Sequence, residues 1–156
     1  MWWSRRLLLV AALAGCGFTP VYGPGGEALA LRGAVLATEP DTDLQFSFVQ
    51  RIEERLGLPE APRYALRYDF DIEDEGLAID GSNNITRFNI EGELTWALTT
   101  LGSDVPLLTG VETSFTAYSA TGSTISTQES ERDARRRLAI ILADRVVTRL
   151  LAENGL

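Results

Sequence analysis

The chain has 156 residues, 45% of them hydrophobic, and its 22 acidic against 14 basic side chains give a net charge of −8. Every basic residue is an arginine and there is no histidine. This balance excludes a generic basic nucleic-acid footprint, and the commonest general base and the Schiff-base amine are both missing.

The chain opens as an export signal. Arg5 and Arg6 form a short positive segment, and residues 7–13 are apolar but too few to span a bilayer. Leu13-Ala14-Gly15-Cys16 then places small residues before the only cysteine of the chain. That order is the pattern of a lipobox: residues 1–15 read as a signal peptide, and Cys16 as the thiol that receives a lipid. An ordinary secretory signal with a chance cysteine, or a buried inert thiol, leaves the position of Cys16 unexplained. The arginine pair also brushes against a twin-arginine export signal. Removal of residues 1–15 takes two arginines and no acid, so 12 basic and 22 acidic side chains remain, a charge of −10. The remainder suits one domain that buries roughly two-thirds of its unfolded surface. With Cys16 acylated, no disulfide is available and stability rests on packing.

Residues 16–26, CGFTPVYGPGG, are rich in glycine and proline, as a tether between lipid and domain would be. Phe18 and Tyr22 are unusual in a plain spacer; they either pack on the domain or meet a partner. A single domain is expected over residues 27–156. In residues 29–37, Leu29, Leu31 and Val35 share a face at period two, which predicts a strand. Thr42 and Gln45 have capping-box spacing, and Leu44, Phe48, Ile52 and Leu56 recur along one face of the helix that follows. Gly57 and Pro59 supply its stop.

Residues 63–73 alternate strictly: Tyr64, Leu66, Tyr68, Phe70 and Ile72 face a core, and Arg63, Arg67, Asp69, Asp71 and Glu73 face water. This favours an antiparallel sheet covered on one side. Residues 74–84, with Gly76, Gly81 and two asparagines, read as a longer surface loop. In residues 86–98, Phe88, Ile90, Leu94, Trp96 and Leu98 alternate with polar residues, and Gly102, Ser103 and Asp104 offer a turn. Residues 107–118 continue the pattern, with Leu107, Val111 and Phe115 expected inward beside β-favouring threonines.

A long final helix is announced by Ser126 and Glu129 at capping-box spacing, with Glu129, Glu131 and Asp133 in its first turns. Ala134, Leu138, Ile141, Leu142, Val146 and Leu150 form its apolar stripe, and Gly155 is a plausible stop. The expected fold is α+β, a four-stranded, mostly antiparallel sheet with two helices packed on one face, in the order β-α-β-β-β-α.

Catalysis in such a domain rests on carboxylates, serine or tyrosine. The densest acidic group is Asp69, Asp71, Glu73, Asp74 and Glu75, which in principle suits glycoside hydrolysis or a hard cation. Alternation puts Asp69, Asp71 and Glu73 on the wet face, so solvated charge is the favoured reading, and no catalytic, cofactor or metal residues are assigned. Two arginine sets are candidates for an anionic ligand: Arg63, Arg67 and Arg87 on neighbouring strands, and Arg132, Arg135, Arg136 and Arg137 on the last helix. Pairing of Arg135 and Arg137 with Glu131 and Asp133 at helical spacing is the plainer account of the second set.

The lipobox running into Cys16-Gly17-Phe18-Thr19-Pro20-Val21-Tyr22-Gly23, followed by about 140 mature residues and an arginine-rich last helix, resembles the LPS-assembly lipoprotein family (LptE-like). The resemblance implies an outer-membrane lipoprotein, lipid-anchored and facing the periplasm, that plugs and helps assemble the LptD-type β-barrel. It also implies assistance to lipopolysaccharide transport, with lipopolysaccharide itself a candidate ligand through basic residues. Gly17 after the lipidated cysteine, in place of aspartate, fits outer-membrane sorting. The resemblance implies a non-catalytic role, and no cofactor is expected. The competing readings are an accessory or pilotin-like lipoprotein of another outer-membrane assembly or secretion machine, and a carboxylate-based hydrolase.

Overall fold

The computed structural model describes residues 30–79 and 85–152. The signal peptide, Cys16, the tether, residues 80–84 and Gly155 lie outside the described residues. The elements are β1 (Val35–Ala37), α1 (Asp43–Leu56), β2 (Tyr64–Ile79), β3 (Ile85–Thr100), β4 (Pro106–Ser119) and α2 (Thr124–Ala152). They form one four-stranded sheet in the order β1-β2-β3-β4. Parallel strands need a long crossover, and α1 provides it between β1 and β2, which pair from Val35↔Tyr64 to Ala37↔Leu66. β2, β3 and β4 are a plain antiparallel meander.

Local chemistry sets the ends of α1. Thr42 Oγ1 accepts from Gln45 N at 3.3 Å, while Gln45 Oε1 accepts from Asp41 N at 2.9 Å, a reciprocal cap one residue out from the usual box. Gly57 N donates to Glu53 O at 2.8 Å and ends the helix. Phe48, Ile52 and Leu56 are buried, as the four-residue spacing predicts. Phe48 lies 4.7 Å from the Tyr68 ring and 5.4 Å from that of Phe70, so an aromatic trio joins α1 to β2.

Strand β3 is flanked on both sides and carries the core, with Ile90, Leu94, Trp96 and Leu98 at most 2% exposed. α2 covers it with Ala134, Leu138, Ala139, Leu142, Ala143, Val146, Val147 and Leu150. The helix approaches closely: a Cβ on Gly92 would sit 2.9 Å from Leu138 Cδ2 and 3.0 Å from Ile72 Cδ1. Thr116 Oγ1, buried in β4, donates to Ala134 O at 3.0 Å and fixes the start of that contact. Asp144 ties the two helices together, its carboxylate accepting from Arg51 Nε (3.0 Å) and Nη2 (3.1 Å) and from Arg55 Nη1 (2.5 Å). Burial would raise the Asp144 pKa, but the two guanidiniums outweigh it and hold the carboxyl below its ordinary 3.8.

Four sequence expectations are corrected. The strand over residues 29–37 shrinks to Val35–Ala37, because Gly33 N turns away to Leu56 O at 2.7 Å and Ala34 N to Leu31 O at 3.1 Å; Leu31 is nonetheless fully buried. The loop expected from residue 74 is strand as far as Ile79, since β3 starts early enough to pair through Ile79↔Ile85 across two register shifts, one between Gly76 and Ala78 and one between Ala78 and Ile79. The cap of α2 lies three residues before the expected one: Ser123 Oγ accepts from Ser126 N at 3.3 Å, and Ser126 lies in the first turn.

The fourth correction is the orientation of β4. Leu107, Val111 and Phe115 point away from the helices and are 45%, 53% and 68% exposed, whereas Leu108, Gly110, Glu112, Ser114, Thr116 and Tyr118 share the helix side. Apolarity selects the first set, but space selects the second. A Cβ on Gly110 would lie 2.7 Å from Trp96 Cε2, so the inward side of this strand has no room for a side chain where the indole lies across it.

Candidate functional site

One face of the sheet meets the helices and, among the described residues, the other is left open. Register fixes the open face row by row: Asp69↔Thr95↔Val111, Asp71↔Glu93↔Thr113, Glu73↔Glu91↔Phe115 and Glu75↔Asn89↔Ala117. Six carboxylates, from Asp69, Asp71, Glu73, Glu75, Glu91 and Glu93, therefore share one surface beside two large exposed apolar side chains. Two of those rows set like charges directly opposite one another, which destabilises a sheet by several tenths of a kcal/mol to about 1 kcal/mol per pair. Among the described residues, the partner of these carboxylates is Asn89 Nδ2, which donates to Glu91 Oε1 at 2.9 Å. The face is hollowed into a trough of about 570 Å³, lined by Asp71, Glu73, Glu91, Glu93, Thr113 and Phe115, with Arg145 at its rim.

The outer edge of β4 is partly covered. Arg145 Nη1 of α2 donates to Thr113 O, and Arg137 Nη2 donates to Ala117 O at 3.3 Å. Guanidiniums on edge carbonyls leave less of the strand available for pairing with a stray chain.

The candidate arginines do not form one site. Arg63 donates through Nη2 to Ala30 O and lies 5.5 Å over the Tyr64 ring, and Arg67 pairs with Asp104 at 2.6 Å. Arg87 is exposed beside Ala78 and Ser119, whereas Arg67 is opposite Ala97, ten residues along β3 and about 33 Å away. Arg132, Arg135 and Arg136 do come together, with Asp43 and Leu44, in a cleft of about 360 Å³ between the start of α1 and α2. Each is already paired: Arg132 with Glu129 at 2.6 Å, Arg135 with Glu131 at 3.0 Å and with Asp74, and Arg136 with Asp133 at 2.7 Å. Arg137 also bonds to Asp133, at 2.9 Å, so the helical pairing expected from spacing is present. Arg136 and Arg137 hold the half-buried Asp133 carboxyl below its ordinary value. Neutralised in this way, the cluster offers a cleft of mixed charge.

Sequence reasoning passed over the open face as a surface. Its carboxylates were visible as the wet side of β2 and β3, but Phe115 and Val111 were assigned to the core. The overlooked signal was Gly110, Ser114 and Thr116: small residues recurring on one side of a strand mark the side on which something packs closely.

A family model described as LptE: Lipopolysaccharide-assembly matches residues 31–150. No curated protein matches the chain in sequence. Among solved structures, the chain is similar to a putative lipoprotein from Caulobacter crescentus CB15, at 16% identity over 80% of this chain and 91% of that one, with a TM-score of 0.64. It is also similar to the rare lipoprotein B from Shewanella oneidensis, at 12% identity, 75% and 91% coverage and a TM-score of 0.55. A minor lipoprotein from Acinetobacter baumannii gives 15% identity, 76% and 89% coverage and a TM-score of 0.55. At these identities the likeness is one of fold.

Proposed function

Because the chain belongs to the LptE family of lipopolysaccharide-assembly proteins, we propose that it is a non-catalytic outer-membrane lipoprotein that plugs and helps assemble an LptD-type β-barrel translocon. In this reading Cys16 carries the lipid, the body faces the periplasm, and the anchor keeps that body beside its membrane-embedded partner. The observation that carries the proposal is the family match across residues 31–150, nearly the whole described domain. The chemistry agrees with it. A chain without histidine or lysine, whose densest carboxylates line an open sheet face, is better equipped for docking than for turnover. A barrel lumen is polar, and a wet sheet face can satisfy it.

Any contact with lipopolysaccharide falls to arginines. Arg132 and Arg136 are the more exposed members of the α2 cleft, at 68% and 62%, and a phosphate could compete there with Glu129 and Asp133. Arg63, Arg67 and Arg87 act at most singly, given their separation along the sheet, and Arg135 is the one most committed to its own carboxylates.

Purification of the lipidated protein from native envelopes tests the proposal. A large outer-membrane barrel should co-purify, depletion should lower surface lipopolysaccharide, and Cys16→Ser should abolish lipidation and membrane retention. Recovery without a barrel, or with the components of a different secretion machine, contradicts it.

A further inference from the structure

We propose that the open sheet face is the partner-docking surface, and that its occupant is a basic polypeptide segment carrying arginine or lysine next to an apolar side chain. Three observations support this. First, the charge around the trough is one-sided: Asp71, Glu73, Glu91 and Glu93 surround it, the arginines of the same face, Arg67 and Arg87, lie toward its two ends, and Arg145 at its rim is turned to the Thr113 carbonyl. Second, the like-charge rows Asp71↔Glu93 and Glu73↔Glu91 weaken the isolated domain, an arrangement that a cation inserted between them would convert into attraction. Third, Phe115 and Val111 stand 68% and 53% exposed on the same face, so the surface also presents apolar area that water leaves unmatched.

The geometry selects the class of partner. Anionic lipid and nucleic acid are repelled by six carboxylates. A bare cation would satisfy the acids and leave Phe115 exposed. A guanidinium or ammonium on a neighbouring chain can sit among the carboxylates and against the Phe115 ring, while its apolar neighbour covers Val111. Assigning that segment to the translocon barrel rests on the function proposed above; the basic character of the occupant does not.

The test is photo-cross-linking from the lipidated full chain in its native envelope, with a photoreactive phenylalanine at position 115 or, as a control on the helix layer, at position 141 of α2, where Ile141 is 37% exposed. Capture from 115 should yield a peptide containing arginine or lysine, and Glu91→Arg with Glu93→Arg should reduce it about tenfold. That double variant sets arginine opposite Glu73 and Asp71, so its unfolding midpoint should be no lower than that of the parent and lost capture cannot be attributed to unfolding. Capture from 141 in place of 115, an acidic captured peptide, indifference to the charge reversal, or no capture from either position would each overturn the inference. If the barrel co-purifies but cross-links only from 141, the translocon reading survives and this surface does not. If 115 captures a basic segment of a protein other than a barrel, the surface stands and its assignment to the translocon fails.

Discussion

The two faces of this sheet are built from the same alternating strands, yet they follow opposite rules. On the helix side, space is scarce: Gly92 admits Leu138, Gly110 admits Trp96, and Thr116 spends its hydroxyl on the Ala134 carbonyl. On the open side, nothing limits size, and charges of one sign are opposed across neighbouring strands. Good packing explains the first face apart from Trp96 Nε1 and Glu112 Oε1, which are buried without a hydrogen-bond partner among the described residues. It does not explain the second, where neutralising the opposed pairs Asp71↔Glu93 and Glu73↔Glu91 should stabilise the isolated domain. The contrast separates residues that make the fold from residues that the fold presents.

Substitutions break or sharpen that contrast. The largest effect should come from Leu138→Ala on the covered side, which leaves a cavity and should cost about 2–5 kcal/mol in chemical denaturation. Next is the helix clasp. Asp144→Ala strands Arg51 and Arg55, and because all three side chains are about one-third exposed the loss should be only about 1 kcal/mol. Its pH dependence is more diagnostic. The Asp144 carboxyl titrates below 3.8 in the folded protein, so its stabilisation is present above that value and is lost as pH falls through the folded pKa. Thermal melts of Asp144→Asn should therefore fall less steeply below about pH 4 than those of the parent.

On the open face the sign reverses. Glu73→Gln with Glu91→Gln should raise stability by several tenths of a kcal/mol to about 1 kcal/mol, with the gain shrinking in high salt. The smallest effect belongs to Phe115→Ser, which should alter stability by no more than about 0.5 kcal/mol in a denaturant titration. A core-sized loss there would show that Phe115 is structural and would erase the distinction between the faces.

The legible parts of the fold were those whose pattern had one solution. β3 carries bulky apolar residues at period two and polar ones between, so its faces could be assigned without its neighbours. α1 was bounded by Thr42, Gln45 and Gly57, whose side-chain and backbone chemistry acts within one turn. β4 was misassigned because both of its sides alternate acceptably, and only the depth at which α2 packs decides between them. The end of β2 was misread as loop because Asp74, Glu75 and Gly76 are poor strand formers on their own; pairing with β3 holds them in place. Two serines at helical spacing, Ser123 and Ser126, competed for the cap of α2, and the earlier one won. The candidate surface was the least legible feature. Each carboxylate could be placed on the wet side of its strand, but the opposition of Asp71 to Glu93 and of Glu73 to Glu91 exists only in the register between strands.

Docking on the open face can be read out by hydrogen exchange of the lipidated protein, alone and bound to its co-purified barrel. Binding should slow exchange along β4 and in the central rows of β2 and β3, where Thr113, Phe115, Glu91 and Glu73 lie, and leave α1 and the solvent side of α2 unchanged. Protection confined to the helices, with β4 exchanging as in the free protein, would contradict docking on that face.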